Sequence, residues 1–186
     1  MNYKKYQNAR DTAWKILRDL HVAELPVSMS AVCRRLGVTV KVGELPGDSD
    51  GQSTIILGRP YILVRAGCSP ERQRFTVAHE LGHILAGHVG HFTLVNREPS
   101  PNDNPIEQEA NVFASRLLAP ACVLWGCNVQ TAEDIRRLCH ISHEAAEYRM
   151  QRMRILYERN RFLTSPLERA VYAQFREYIE THRIVR

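Results

Sequence analysis

The sequence has no apolar run long enough to cross a bilayer. A spanning helix needs about 20 consecutive apolar residues; the longest stretch here, residues 117–125, has nine and is interrupted by Pro120. A secretory leader is not expected either. The first twenty residues carry Lys4, Lys5, Arg10, Asp11, Lys15, Arg18 and Asp19, which leaves no apolar segment of the kind a leader requires. The expectation is a cytoplasmic protein without a membrane partner. Paired cysteines are absent as well. Cys33, Cys68, Cys122, Cys127 and Cys139 are odd in number and contain no C-x-x-C pair, which argues against a disulfide framework and against a thiolate zinc site. They read as packing or surface thiols. Internal repeats and low-complexity segments are missing too, and with 44% apolar and 24% charged residues the chain lacks the composition of a disordered protein. Its 186 residues predict one domain with room for a small appendage.

Charge of one sign is scarce in the middle. The net charge of +5 divides into +4 over residues 1–44, −3 over 45–133 and +4 over 134–186. Chemistry in the acidic middle therefore does not depend on an anion site, and the basic flanks are where a nucleic acid would be met.

The periodicity predicts helices at both ends and a few strands between. Ala13, Ile16, Leu17 and Leu20 recur at helical spacing over residues 8–22, and residues 28–36 form a second short helix with Ser28 as cap and Gly37 as left-handed terminator. Residues 38–42 alternate with period two, residues 53–57 and 61–65 are β-branched or aromatic, and Gly58-Arg59-Pro60 reads as the turn between them. A small antiparallel meander follows from this, with residues 43–51 as a mobile connection. Ser69-Pro70-Glu71 and Asn104-Pro105 each start a helix, the first ending near Gly87 and the second at Pro120. Phe75, Ala78, Leu81 and Leu85 mark the buried face of the first, and Ile106, Ala110, Phe113 and Leu117 that of the second. Beyond Pro120 the pattern is helical throughout: a short helix capped by Thr131 and Asp134, a turn at 140–142, a longer helix capped by Ser142, and a last one from Ser165-Pro166 towards His182.

The chemistry lies in the first core helix. His79-Glu80-Leu81-Gly82-His83 is an H-E-x-x-H motif. Four residues of helix rotate by roughly 400°, so both imidazoles leave one face and can grip one metal ion, with Glu80 beside them to take a proton from an activated water. A catalytic zinc needs a third protein ligand. Val89 and Ala86 stand where a metzincin has its histidine and glycine, which excludes that class. On the second core helix Glu107 and Asn111 share a face at i, i+4, so Glu107 is the better third ligand, with Asn111 orienting His79 or His83 by a hydrogen bond. Glu109 points about 200° away on an ideal helix and reads as solvated. His88 and His91, in the polar loop, remain alternatives.

Arg74 to Leu85 (R-F-T-V-A-H-E-L-G-H-I-L) and Ile106 to Pro120 (I-E-Q-E-A-N-V-F-A-S-R-L-L-A-P) together resemble the ImmA/IrrE family of zinc metallopeptidases. The similarity is strong over residues 51–120 and weaker in the flanks on either side. The resemblance implies a gluzincin-like Zn2+ site with His79, His83 and Glu107 as ligands and Glu80 as general base. It implies an α+β fold, a small antiparallel sheet on zincin-like core helices, followed by a helix-turn-helix-like C-terminal region. It also implies a protein substrate, a helix-turn-helix transcriptional repressor encoded nearby. The family's usual L-M-P is L-A-P here, with Ala119 in place of Met, which touches packing and not the ligands. The expected division is a metallopeptidase domain over 1–125, N-terminal helices included, and a helical region over 126–186 packed on it.

The oxyanion formed on attack needs a donor besides the metal; Tyr148, His140 and His143 are candidates, without a choice among them. A rival reading takes residues 134–153 as a helix-turn-helix whose Arg136, Arg137, Arg149, Arg152 and Arg154 meet phosphates, making the chain a zinc-binding but proteolytically silent regulator or sensor. Asp134, Glu144 and Glu147 interrupt that basic face and favour docking of a protein over direct DNA binding.

Overall fold

The computed structural model describes residues 3–89 and 104–186. His91 falls outside them. The fold is α+β, with nine helices and one three-stranded sheet among the described residues. The chain forms two compact units: residues 1–9 with 28–114, and residues 10–27 with 115–186.

In the first unit, helix α2 (Met29–Arg35) begins where Ser28 Oγ accepts from the Ala31 amide and ends in a left-handed Gly37 at φ +70°. The Val38 amide then returns to the Cys33 carbonyl at 2.9 Å, a Schellman closure that turns the chain directly into strand β1 (Thr39–Gly43). Strands β2 (Gly51–Ile56) and β3 (Arg59–Arg65) form a hairpin across Leu57-Gly58, both with φ > 0, the pair of angles a two-residue type I′ turn requires. The turn therefore sits one residue earlier than Gly58-Arg59-Pro60, and Pro60 lies within β3, paired with Ile55. Its missing amide costs nothing there, because β1 begins to pair with β3 only at Tyr61.

The sheet departs from an antiparallel meander. Its order is β1-β3-β2, with β1 parallel to β3 and β2 antiparallel to it. Residues 44–50 do not make a hairpin but cross the end of β3, a span of two strand spacings or about 10 Å, well within the reach of seven residues. Arg65 at that end fastens the crossing: its Nε donates to the Ser49 carbonyl at 3.0 Å and its Nη2 to the Gly47 carbonyl at 2.5 Å, while its amide donates to the Asp50 carbonyl at 2.8 Å.

Helix α3 (Pro70–Leu85) starts at Ser69, whose Oγ accepts from the Arg72 amide, with Pro70 in the first turn. Helix α4 (Pro105–Leu118) starts where Asn104 Oδ1 accepts from the Ile106 amide at 3.0 Å. Ala78, Leu81, Ala110 and Phe113 are buried as their spacing predicts, whereas Leu85 and Ile106, at the two outer ends of the stripes, are exposed.

The second unit is helical: α5 (Ala121–Gly126), α6 (Ala132–Cys139), α7 (His143–Glu158), α8 (Pro166–Gln174) and α9 (Arg176–His182). Thr131 and Asp134 form a capping box on α6, and Ser142 caps α7 through the Ala145 amide. Residues 140–142 join these two helices with His140 left-handed at φ 49°. The predicted last helix is two, α8 and α9, separated at Phe175 with ψ 9°. Phe175 is fully buried, and no Gly or Pro signals this bend in the sequence. No described helix is long and apolar enough to cross a membrane.

Candidate metal centre

Residues 76–83 of α3 are buried all round, so the H-E-x-x-H segment has no solvated face. Gly82 makes this possible. A Cβ there would lie 3.0 Å from Phe113 Cδ1 and 3.3 Å from Ala110 Cα, so α4 approaches α3 as closely as a residue without a side chain allows. That contact brings Glu107, one turn before Ala110, over the two imidazoles.

Three acceptors converge there. His79 Nε2 lies 3.0 Å from His83 Nε2 and 3.1 Å from Glu107 Oε2, and His83 Nε2 lies 3.4 Å from Glu107 Oε1. The side chains of His79, His83 and Glu107 are only 11%, 5% and 17% exposed. Donors about 2.0–2.1 Å from a tetrahedral ion stand roughly 3.3 Å apart, so the observed spacing matches one divalent cation held by all three. The hydrogen bonds behind the ligands support the same reading. His79 Nδ1 is 2.8 Å from Asn111 Oδ1, an oxygen that can only accept, so in the metal-bound state the ring would carry its proton on Nδ1 and turn a lone pair inwards from Nε2. Two imidazole nitrogens and a carboxylate oxygen set facing one another in a buried site form a group that could hold one metal ion. The structure thus brings together His79, His83 and Glu107, the residues that the spacing on the two helices singles out, with Asn111 behind His79.

Glu80 is fully buried next to this group. Its Oε2 accepts a 2.6 Å hydrogen bond from Ser53 Oγ on β2. A Cβ on Gly51, two residues earlier on that strand, would meet Thr76 Cγ2 at 2.2 Å and Glu80 Cγ at 3.3 Å. Strand β2 thus lies directly against the Glu80 turn of α3. Neither Ser53 nor Gly51 is legible in the sequence as part of the site, because their roles depend on the register between strand and helix, and the sequence pattern leaves Gly51 in the connection before the strand.

His88 does not join the ligand group. Its Nδ1 lies 3.1 Å from His83 Nδ1, on the side of that ring away from the convergence point. Glu109 is not solvated as the ideal helix predicts: its side chain is 15% exposed and its Oε2 lies 3.6 Å from His88 Nε2. The oxyanion candidates Tyr148, His140 and His143 belong to the second unit. Tyr148 is 62% exposed, His140 is the left-handed cap of α6, and His143 Nε2 stands 3.9 Å from Glu147 Oε1. Of the five arginines considered for phosphate, Arg149 is buried and donates from Nε to the Ala119 carbonyl at 2.8 Å, and Arg136 is paired with Glu133 at 2.7 Å.

Comparison with known proteins adds two findings. A peptidase family profile described as the IrrE N-terminal-like domain matches residues 33–151, more than half of the chain. The chain is also 31% identical over 96 residues to the radiation response metalloprotease IrrE of Deinococcus radiodurans; the match takes in 47% of this chain and 29% of that protein.

Proposed function

The chain belongs to the IrrE N-terminal-like family of metallopeptidases, and from that premise we propose that it is a zinc-dependent endopeptidase acting on a helix-turn-helix transcriptional repressor. The observation that carries the reading is the buried convergence of His79 Nε2, His83 Nε2 and the Glu107 carboxylate at 3.0–3.4 Å, with Glu80 in the adjoining turn. Because the alignment takes in 29% of the relative's length, the substrate is argued from the family resemblance and not from that protein as a whole.

His79, His83 and Glu107 would hold the ion, and Asn111 would orient His79. Bound there, zinc would polarise the scissile carbonyl and acidify a water towards neutrality. Glu80 takes the proton of the attacking water on its carboxylate and returns it to the leaving amine nitrogen. Ser53 holds that carboxylate through its hydroxyl, so the base keeps one rotamer between the two transfers. Burial of the whole group excludes bulk water, which strengthens each of these interactions.

The test is metal analysis of protein purified without chelator, followed by co-incubation with candidate helix-turn-helix repressors, with and without chelator. About one zinc per chain and chelator-sensitive cleavage are expected. Glu80→Gln should retain the metal and lose at least about 100-fold in cleavage rate, the usual contribution of a general base. Absence of zinc, or full activity of that variant, overturns the reading.

A second reading, a zinc-binding but silent regulator, is favoured by one feature, the α6–α7 helix pair with Arg137, Arg152 and Arg154 exposed. Titration with duplex DNA at two salt concentrations separates the two, since phosphate-driven affinity falls steeply with salt. DNA binding that survives zinc removal would favour the regulator.

A further inference from the structure

The two histidines of the metal site are supported differently. His79 has an amide oxygen behind it, whereas His83 has a second imidazole. Helix α3 ends at Leu85 with Ala86 as its C-cap, and Gly87 at φ +72° takes the left-handed turn after it. The Gly87 amide donates to the Ile84 carbonyl at 3.2 Å and the His88 amide to the His83 carbonyl at 2.9 Å, a Schellman closure that folds His88 back over the last turn. Its ring stands against that of His83, centroids 5.2 Å apart and planes at 63°, with the two Nδ1 atoms 3.1 Å apart. On its far side His88 Nε2 faces Glu109 Oε2 at 3.6 Å. The side chains of His88 and Glu109 are 14% and 15% exposed, so this row is largely shielded from solvent.

We propose that His88 and Glu109 form a positioning relay that commits His83 to metal binding. The inference rests on the reading of the site as a zinc centre. A ligating imidazole that presents Nε2 to the ion must carry its proton on Nδ1 and needs an acceptor there. Behind His83 that acceptor is His88 Nδ1. To accept, His88 must keep its own proton on Nε2, which is where the Glu109 carboxylate stands. The order is therefore Glu109 carboxylate, His88 Nε2–H, His88 Nδ1, His83 Nδ1–H, His83 Nε2 lone pair. Each proton has one position, and the ring of His83 is held in orientation. Gly87 serves this relay, because the left-handed turn brings His88 back to the helix it has just left. Glu109, two residues after Glu107 on α4, supplies its outer end, so α4 contributes one carboxylate to the ligand set and another to its support.

The experiment measures zinc affinity of the full chain by competition with a chromogenic chelator at pH 7.5, beside the unfolding midpoint of the metal-free protein. His88→Ala is expected to bind zinc 10- to 100-fold more weakly, the loss typical when the partner behind a ligand is removed, with the metal-free midpoint unchanged. His88→Asn, whose Oδ1 occupies the place of Nδ1 and accepts, is expected to recover affinity to within a few-fold of the parent. Glu109→Gln should fall between the two. Equal affinity of His88→Ala and the parent, or His88→Asn as weak as His88→Ala, overturns the relay while leaving the zinc site standing. A parent chain that binds no zinc overturns both. Long-range proton–nitrogen NMR of the unmutated zinc-loaded protein gives a check that needs no variant: His88 is expected to be protonated on Nε2 and bare on Nδ1, and a proton on its Nδ1 overturns the proposal.

Discussion

At Gly51 a Cβ would overlap Thr76 Cγ2 and come within 3.3 Å of Glu80 Cγ, closer than non-bonded carbons tolerate. Gly51→Ala should cost about 1–3 kcal/mol, the range for overpacking a filled interior, and should reduce cleavage more than zinc affinity because it displaces the strand that carries Ser53. Adding Thr76→Ser removes the clashing methyl, so the double variant is expected to recover most of the stability in urea denaturation; simple additivity of the two changes would refute the contact. Arg149 poses the opposite question. It is 1% exposed, only its Nε has a hydrogen-bond partner, and Nη1 and Nη2 have none among the described residues. Burial, with Arg116 as a like-charged neighbour, holds its guanidinium well below the ordinary arginine range. A buried charge without a counter-ion is replaced cheaply by an apolar side chain of similar size, whereas truncation leaves a cavity. Arg149→Met should therefore be close to the parent in stability and Arg149→Ala about 2 kcal/mol or more below Arg149→Met, as read by the denaturation midpoint.

Helices α3 and α4 illustrate how much of an element is written locally. Ser69 with Pro70, Asn104 with Pro105, the Thr131–Asp134 box and Ser142 all cap where the sequence places them, since a cap is a contact between residues two or three apart. The break at Phe175 has no local signal in the sequence, and the parallel pairing of β1 goes with a crossing held by Arg65, distant in the chain from the carbonyls it binds. Gly82 shows the two levels in conflict. A glycine inside a helix costs about 1 kcal/mol relative to alanine, and it is kept here because Phe113 and Ala110 occupy the space. Gly82→Ala should thus lose more by pushing α4 away than it gains in propensity, a net cost of about 1 kcal/mol. It should also weaken zinc binding, because Glu107 moves with α4. Unchanged affinity in chelator competition would show that the approach of the helices does not set the ligand spacing.

Over the whole molecule the cysteines report on folding. Cys33, Cys122, Cys127 and Cys139 are buried and Cys68 is partly exposed. Burial pushes the thiol of Cys33 up to about 11, that of Cys122 to about 12 and that of Cys127 to about 11. A thiol reagent at pH 8 is therefore expected to modify Cys68 alone in the native protein, because it is the accessible one, slowly because burial and the Asp50 carboxylate beside it raise its thiol as well, and all five on unfolding. These raised values have a sign in stability as well. In the unfolded chain the thiols lose their protons near pH 9, while in the folded state they keep them to pH 11–12. The unfolded state then binds fewer protons, so stability falls as the pH rises from about 9. The unfolding midpoint should drop steadily over pH 9–11, and serine or alanine at Cys122 should flatten that slope.

What the sequence determined by itself is the chemistry and its local scaffolding. The H-E-x-x-H spacing puts two imidazoles on one helix face, i, i+4 spacing pairs Glu107 with Asn111, and caps and turn residues bound the helices, all from interactions that span fewer than five positions. What only the tertiary structure decided is everything set by approach between distant segments. These are the mixed sheet order, Ser53 on the Glu80 carboxylate, the closeness of α4 that Gly82 permits, and the pairing of His88 with Glu109 behind His83. An ideal helical wheel turns Glu109 towards solvent because it knows nothing of what lies beyond the helix; a left-handed glycine at the end of α3 brings His88 there and gives that carboxylate its partner.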